Sequence, residues 1–307
     1  MVFLLKEKNN IAKDKFDGNK FEKIRSLLTK VKYVAKNVIY LKGWSNKDLP
    51  KKNNIRFEER INFSFKNYVV KIVKEPHPLV LKSKELRYKS FFKPEKKFKI
   101  DSDEFDQSCE HLVVIDKSIS EDFVVGSYRL LLKPKNKKKI NFYSESEFDL
   151  SKLLKNKNLS LLEAGRSCVH ENYRDGRIIK LLWKGLASYI VSKNVDFIFG
   201  CASFPSSNSN LFIKELSYLS DYHRPPKRFN SKPLNHLAAK FKKVDCKSYD
   251  QESIFRSLPP LIKAYIRAGA WISDGAVCDY KFNTTDVLVI LRSKNILKKY
   301  SDLSVKT

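Results

Sequence analysis

A carboxylate, a glycine and a guanidinium group stand within four residues of one another, at Glu163, Gly165 and Arg166. They fall in a run of residues 161–170 that predicts a strand. A carboxylate buried on a strand can have a pKa high enough to accept a proton as a general base. Residues three apart on a regular strand point to opposite faces, so Glu163 and Arg166 act together only on a bulged strand. Gly165, between them, predicts that bulge.

A second group of residues, just after this strand, could bind a phosphate. The sequence predicts a polar loop, a helix over residues 175–193 and another strand over residues 197–201. The first N–H groups of a helix have no acceptor within the helix, so a strand–loop–helix unit can offer them to an anionic ligand. The residues that would form this cradle are Ser167, Cys168, Val169, Arg174, Gly176, Arg177 and Ile178.

The elements that must position these residues form a mixed pattern of short strands and helices. The further predicted elements are strands over residues 69–73, 111–115, 124–132 and 287–291 and helices over residues 81–92 and 258–268. Such a mixture predicts an α/β (α+β) fold with a mixed central sheet, over residues 66–307.

Residues 1–65 are rich in Lys and Asn and predict a basic N-terminal extension. Within it, apolar residues recur at steps of three and four over residues 20–39, with lysines between them, which predicts an amphipathic helix. Such a helix either packs its apolar stripe on the neighbouring domain or lies on an anionic membrane surface.

The charge of the chain indicates an anionic partner. Its 307 residues include 61 Lys and Arg against 34 Asp and Glu, a net charge of +27, while 42% hydrophobic residues provide enough apolar material for a folded core. Nucleic acid, an anionic membrane surface and an acidic carrier protein would all be attracted by this charge. No helix-turn-helix, RRM or zinc-finger pattern supports nucleic acid.

The cysteines and histidines predict neither a disulfide framework nor a metal site. The five cysteines show no paired C-x-x-C spacing, and no histidine stands in a metal-binding arrangement. The chain shows no export signal and no apolar run long enough to span a bilayer. These features predict a protein of the reducing cytoplasm without a bound metal.

Several longer stretches of the sequence resemble one enzyme family. Residues 163–170 read EAGRSCVH, and are followed by Tyr173-Arg174, LWKGLA at 182–187 and FGCASF at 199–204. Together they resemble the ornithine N-acyltransferase family of bacterial ornithine-lipid synthesis, a GNAT branch related to acyl-homoserine lactone synthases. Further stretches that resemble the family lie at residues 101–106, 111–112, 125–131, 142–150, 258–263 and 282–287. The resemblance covers residues 68–292 and implies a GNAT-like sheet flanked by helices.

This resemblance implies an acyltransferase that moves a 3-hydroxy fatty acyl group from acyl carrier protein to the α-amino group of ornithine, forming lyso-ornithine lipid. Many acetyltransferases have a second glycine in the phosphate loop, whereas this loop has only Gly176 and carries Asp175, which would repel phosphate. The loop therefore favours the single phosphate of a carrier-bound acyl-phosphopantetheine over coenzyme A, with no bound cofactor. Acyl carrier protein and an anionic membrane surface are the expected partners, with the chain peripheral on the inner face of the cytoplasmic membrane.

The resemblance also implies roles for single residues. Glu163 matches the position of the base in the related lactone synthases, although a structural salt bridge is the alternative. The N–H at the Gly165 bulge would stabilise the oxyanion. Arg129 and Arg166 would bind the ornithine carboxylate. Asp103 and Asp106 would either receive its ammonium group or pair with Arg129.

Two alternatives to this function stay open from the sequence. The first is an N-acyl amino acid or acyl-homoserine lactone type synthase that acts on another amine. The second, of a different class, is a basic nucleic-acid- or membrane-binding module without catalysis.

Overall fold

The structure is a computed structural model that describes residues 61–92, 100–137 and 140–299. The amphipathic helix predicted over residues 20–39 lies outside the described residues. The first described strand, β1 (Phe63–Phe65), pairs with β2 (Tyr68–Lys74), so sheet structure already begins within the predicted extension. The division of the chain at residue 65 stays a prediction.

A nine-stranded sheet forms the centre of the molecule, in the order β1-β2-β3-β4-β6-β7-β11-β10, with β9 also paired to β11. Beyond β2, its strands are β3 (Glu110–Asp116), β4 (Val124–Lys133), β6 (Leu161–Val169), β7 (Phe197–Phe204), β9 (Trp271–Ile272), β10 (Val277–Asp279) and β11 (Thr284–Arg292). Two short strands, β5 (Phe148–Asp149) and β8 (Lys232–Pro233), pair separately. Among the described pairs of the main sheet, only β6 and β7 are parallel.

Helices cover both faces of this sheet, as the mixed α/β pattern predicts. The helices are α1 (Pro78–Phe91), α2 (Ser151–Leu154), α3 (Arg177–Ser192), α4 (Ile213–Tyr222), α5 (Gln251–Ser257), α6 (Pro260–Arg267) and α7 (Ser293–Lys299). Successive strand residues point to opposite faces, so Leu112 packs in the core with α3 while Val113 packs in the core with α1. In the described part of the chain, no helix combines the length and apolarity needed to cross a membrane.

Strands β6 and β7 separate partway along their length. Their parallel register begins at Leu161 and Phe197 and ends at Glu163 and Phe199. At the next residue the backbones are so close that a Cβ on Gly200 would lie 2.5 Å from the carbonyl oxygen of Ala164. Beyond this point β6 continues beside β4 alone, which leaves its backbone groups facing β7 without a β7 partner.

The bulge predicted near Gly165 is confirmed. Ser127 of β4 pairs with Cys168 and Arg129 pairs with Gly165, so two steps along β4 face three steps along β6. Arg166, in the extra residue position, has a φ of 51° in the left-handed region. For a non-glycine residue this costs about 1–2 kcal/mol, which the surrounding contacts must offset.

Candidate active site

Three arginines and three aspartates form a buried ionic network on the face of the sheet that α1 covers. They are Arg87 of α1, Arg129 of β4, Arg166 of β6, and Asp101, Asp103 and Asp106 of the segment before β3. Arg87, which is fully buried, donates to Asp101 and to Asp106 at 2.7 Å each. Since the positive and negative charges are equal in number, the network is electrically balanced.

The two aspartates predicted as substrate ligands are partners of arginine in this network. Asp103 accepts from Arg129 at 2.5 Å and from Arg166 at 3.1 Å, and Asp106 lies 3.4 Å from Arg129. Burial alone would raise the pKa of Asp106, but the hydrogen bond and charge of Arg87 outweigh it and hold that pKa below its usual value. Of the two alternatives for this acidic turn, pairing with Arg129 is the one observed.

Glu163 is buried on the same face and holds a neighbouring turn in place. Its carboxylate accepts hydrogen bonds from the backbone N–H of Tyr143 at 3.0 Å and of Ser144 at 2.7 Å. Burial raises its pKa, although the hydrogen bonds from Ser144 oppose the shift. Among the described residues Glu163 has no salt bridge, so the structural alternative of an ion pair is not observed.

The bulge brings Arg166 to the turn that Glu163 holds. The Arg166 guanidinium lies between two aromatic rings, 4.4 Å from the centre of Tyr143 and 4.7 Å from the centre of Phe282. Gly165, two residues from Glu163, faces open space, because a Cβ built there would meet no atom within 4 Å. A carboxylate with a raised pKa, an accessible glycine backbone and a guanidinium therefore share one face of β6.

A cluster of three carboxylates lies nearby, and the sequence did not identify it. Ligand oxygens of Glu147, Asp279 and Asp286 lie within 4.8 Å of one another, a spacing that could hold a metal ion. Burial and the Asp286 carboxylate raise the pKa of Glu147 to about 8, and burial raises that of Asp286 to about 6. The predicted absence of a metal stays a prediction. The only sequence signal was that Glu147 and Asp286 lie in two of the stretches that resemble the family.

The predicted phosphate cradle divides into buried side chains and accessible backbone. Cys168 packs against α1, and burial raises the pKa of its thiol to about 12. The Ile178 side chain is buried beside Gly126. Any contact of these two residues with an acyl donor is therefore limited to their backbones. Arg174 donates through Nε to the carbonyl oxygen of Val169 at 3.1 Å and so closes the loop.

Asp175 occupies the first free N–H group of α3. Its carboxylate accepts from the backbone N–H of Arg177 at 2.9 Å and from Arg177 Nε at 2.6 Å. Gly176 has a φ of 95°, a conformation that favours glycine, and a Cβ there would meet no atom within 4 Å. The helix N-terminus thus holds the Asp175 carboxylate, which is paired with the Arg177 guanidinium.

Comparison with known proteins decides the family. A family model described as an acetyltransferase (GNAT) domain matches residues 86–184. The L-ornithine N(alpha)-acyltransferase of Brucella abortus is 36% identical over 71% of this chain and 82% of its own length. That of Agrobacterium fabrum is 39% identical over 66% of this chain and 70% of its own length. The chain belongs to this acyltransferase family.

The solved structures similar to this acyltransferase share little of its sequence. The AHL synthase LasI is 12% identical, with a TM-score of 0.41 over 78% of this chain and 98% of that chain.

A cavity of the acyltransferase lies at the start of strand β7. It has a volume of about 1180 Å³ and is lined by residues that include Lys152, Lys227, Phe197 and Arg292. Phe197 and Arg292 pair at the start of β7, whereas Ser203 pairs with Asp286 six residues further on. At about 3.3 Å per strand residue this is about 20 Å. The cavity is therefore well separated from the Asp286 carboxylate.

Proposed function

We propose that this acyltransferase moves a fatty acyl group, typically 3-hydroxylated, from acyl carrier protein to the α-amino group of ornithine, and so forms lyso-ornithine lipid. The observation that carries the proposal is the bulged strand β6, which presents Glu163, Gly165 and Arg166 on one face. The names of the curated relatives support ornithine as the acceptor.

The reaction on this face needs a base and an oxyanion donor. Glu163 takes a proton from the α-ammonium group, directly or through water, and the neutral amine attacks the thioester carbonyl. The Gly165 N–H stabilises the oxyanion that forms, a contribution of about 3–4 kcal/mol for a single donor. When the C–S bond breaks, the carrier thiolate takes up a proton and leaves as a thiol, while the amide stays on ornithine.

The guanidinium groups are the partners for the carboxylate of ornithine. Arg166 and Arg129 lie beside Gly165 and the Tyr143 ring. Asp103 holds both arginines and fixes where they point. Because Asp103 and Asp106 are already paired with arginines, we assign them to positioning these groups rather than to direct contact with the ammonium.

The α3 N-terminus supports a carrier-bound donor. The Asp175 carboxylate would repel the several phosphates of coenzyme A more than the single phosphate of a phosphopantetheine arm. The separated edges of β6 and β7 offer free backbone groups to an extended amide-bearing arm. The net charge of +27 favours encounter with an acidic carrier protein and peripheral contact with an anionic membrane surface.

The direct test supplies the full chain with 3-hydroxyacyl carrier protein and L-ornithine, and identifies the product by mass spectrometry. Acylation at the α-amino group is expected. Acylation of another amine in a panel of amino acids would overturn the acceptor, and no product with any amine would overturn the catalytic assignment.

A further inference from the structure

The carboxylate cluster of Glu147, Asp279 and Asp286 shares a face of the sheet with Glu163. Residues opposite one another in a sheet point to the same face, as do residues two apart on one strand. Glu163 pairs with Phe199, and Ser203, four residues further along β7, pairs with Asp286. The cluster therefore lies along the β7 and β11 side of the face that carries the proposed chemistry.

One turn connects the cluster to the proposed base. The turn Tyr143–Ser146 donates two backbone hydrogen bonds to Glu163 and leads directly into Glu147. The Ser144 hydroxyl lies 3.5 Å from the thiol of Cys201, and burial together with the Glu147 carboxylate raises the pKa of that thiol. Glu147 and Glu163 thus border the same space, from the two ends of one short turn.

Two carboxylates of the cluster have buried oxygens without a hydrogen-bond partner of good geometry among the described residues. Glu147 and Asp286 are each 5% exposed, and among the described residues both Glu147 oxygens and Asp286 Oδ1 have no hydrogen-bond partner. None of the described salt bridges includes a member of the cluster, in contrast to the balanced network around Arg129. A buried carboxylate without a partner is unfavourable in its charged form, which is why burial raises the pKa of Glu147 and of Asp286, and a cationic ligand would stabilise the charged forms.

We infer that Glu147, Asp279 and Asp286 bind the side-chain ammonium group of the substrate and thereby select a diamino acid. The inference rests on the proposed function, since it assigns one end of the acceptor of that same site. A primary ammonium has three N–H donors and can donate one to each carboxylate. Four carbon atoms separate the two nitrogens of ornithine, and in this arrangement the α-amine faces Glu163 while the side chain extends toward the cluster.

A singly charged ammonium suits the site better than a divalent metal ion. The Arg166 guanidinium contacts the rings of Tyr143 and Phe282, and its positive charge partly opposes the burial that raises the pKa of Asp286. That charge would oppose a second, doubly charged cation. Asp279 also uses one carboxylate oxygen to accept from the backbone N–H groups of Lys281 and Phe282. Calcium takes six to eight oxygen ligands and magnesium takes six, so either ion would need waters beside these carboxylates, whereas an ammonium needs only three acceptors.

The test compares L-ornithine with L-norvaline, which has the same carbon chain without the side-chain amine. The full chain with 3-hydroxyacyl carrier protein is expected to prefer ornithine by about 100-fold or more in kcat/KM, because norvaline leaves the carboxylates unpaired. Asp286→Asn and Glu147→Gln should each lower kcat/KM for ornithine by about 30-fold or more, with little change for norvaline. The ratio of kcat/KM for ornithine to kcat/KM for norvaline should therefore fall by about the same factor.

Glu145→Gln is the matched control, because it makes the same chemical change in the same turn outside the cluster. In the described part of the chain, Glu145 accepts from the backbone N–H of Phe142, which a Gln oxygen can also do. This variant should keep the wild-type preference. If a variant of a buried carboxylate fails to fold in a thermal melt, Asp279→Asn replaces it, since its amide oxygen can keep the bonds to Lys281 and Phe282.

The outcomes separate this inference from the proposed function. Absence of ornithine acylation by the wild-type chain would overturn both. Ornithine acylation with an unchanged ornithine-to-norvaline ratio in the cluster variants would overturn the ammonium site alone. Calorimetric binding of Mg²⁺, Mn²⁺ or Ca²⁺ that disappears in Asp286→Asn would also overturn it, in favour of a metal site.

Discussion

Gly165 is a position where a substitution should impair catalysis without impairing folding. A Cβ there would meet no atom within 4 Å, and its φ is not in the left-handed region, so Gly165→Ala should fold with an unchanged melting temperature. The added methyl group would stand where the thioester approaches. A displacement of the thioester by about 1 Å should lower kcat by about 100-fold. Steady-state kinetics with the carrier-bound donor measure this.

Gly200→Ala provides the contrast for that substitution. Its Cβ would lie 2.5 Å from the carbonyl oxygen of Ala164, so this variant should lose stability in a thermal melt. Wild-type kinetics in Gly165→Ala would show that no reacting group passes that residue.

Glu163 should reveal itself through the dependence of the rate on pH. A base acts when deprotonated, and burial raises the pKa of Glu163, so kcat/KM should rise as pH rises through that raised pKa. In Glu163→Gln this rise should disappear and kcat should fall by about 10²–10⁴-fold. Ionisation of the substrate amine also makes kcat/KM rise with pH, and that rise should remain in both the wild-type chain and Glu163→Gln.

The measurement is kcat/KM against pH for the two proteins, with a thermal melt of each. Gln can accept only one of the hydrogen bonds from Tyr143 and Ser144, so a small loss of stability is expected. Unchanged product formation would leave Glu163 with the single role of holding that turn.

At the scale of elements, the N-terminus of α3 should set the choice of donor. Asp175→Asn removes the negative charge but keeps an oxygen that can accept from the Arg177 N–H, so stability should change by less than about 0.5 kcal/mol. With less repulsion of phosphate, KM for an acyl-coenzyme A donor should fall several-fold relative to KM for the carrier-bound donor.

Asp149→Asn is the matched control for the donor prediction. Asp149 likewise accepts from a backbone N–H two residues ahead, that of Ser151, but stands in a different part of the chain. It should leave the ratio of the two KM values unchanged. An equal ratio in Asp175→Asn and the wild-type chain would remove the argument that Asp175 discriminates between donors.

The elements themselves were predictable where periodicity is strong. The strand predicted over residues 161–170 is Leu161–Val169, and the helix predicted over 175–193 is Arg177–Ser192. Helix α1 begins three residues before its predicted start, because Pro78 takes its first position and His77 caps it through its side chain. The helix Ile213–Tyr222 was missed; its buried residues are consecutive, from Leu216 to Leu219, so they do not show the steps of three and four that predict a helix.

At the scale of the whole molecule, the positive charge should control encounter with the donor. Because an acidic carrier protein is steered by long-range attraction, kcat/KM for the carrier-bound donor should fall about tenfold or more between low and high salt. An uncharged acyl-pantetheine donor is the control and should show little salt dependence. Equal salt dependence of the two donors would argue against electrostatic docking of the carrier.

The sequence by itself determined the local features of this protein and its family. The close spacing of Glu163, Gly165 and Arg166 required a bulge if they were to act together, and stretches spread over residues 68–292 indicated the family. Such features depend on neighbours within a few residues, whose geometry follows from strand and helix periods. They can therefore be predicted from the sequence without the tertiary structure.

Only the tertiary structure decided which acidic residues are free to meet a substrate. Asp103 and Asp106 are neutralised by Arg87, Arg129 and Arg166, which come from three different elements. Glu147, Asp279 and Asp286, which take part in none of the described salt bridges, are instead brought together by a turn and two strands from distant parts of the chain. The charge state and partners of a buried carboxylate depend on what packs against it in space, and spacing along the sequence does not contain that information.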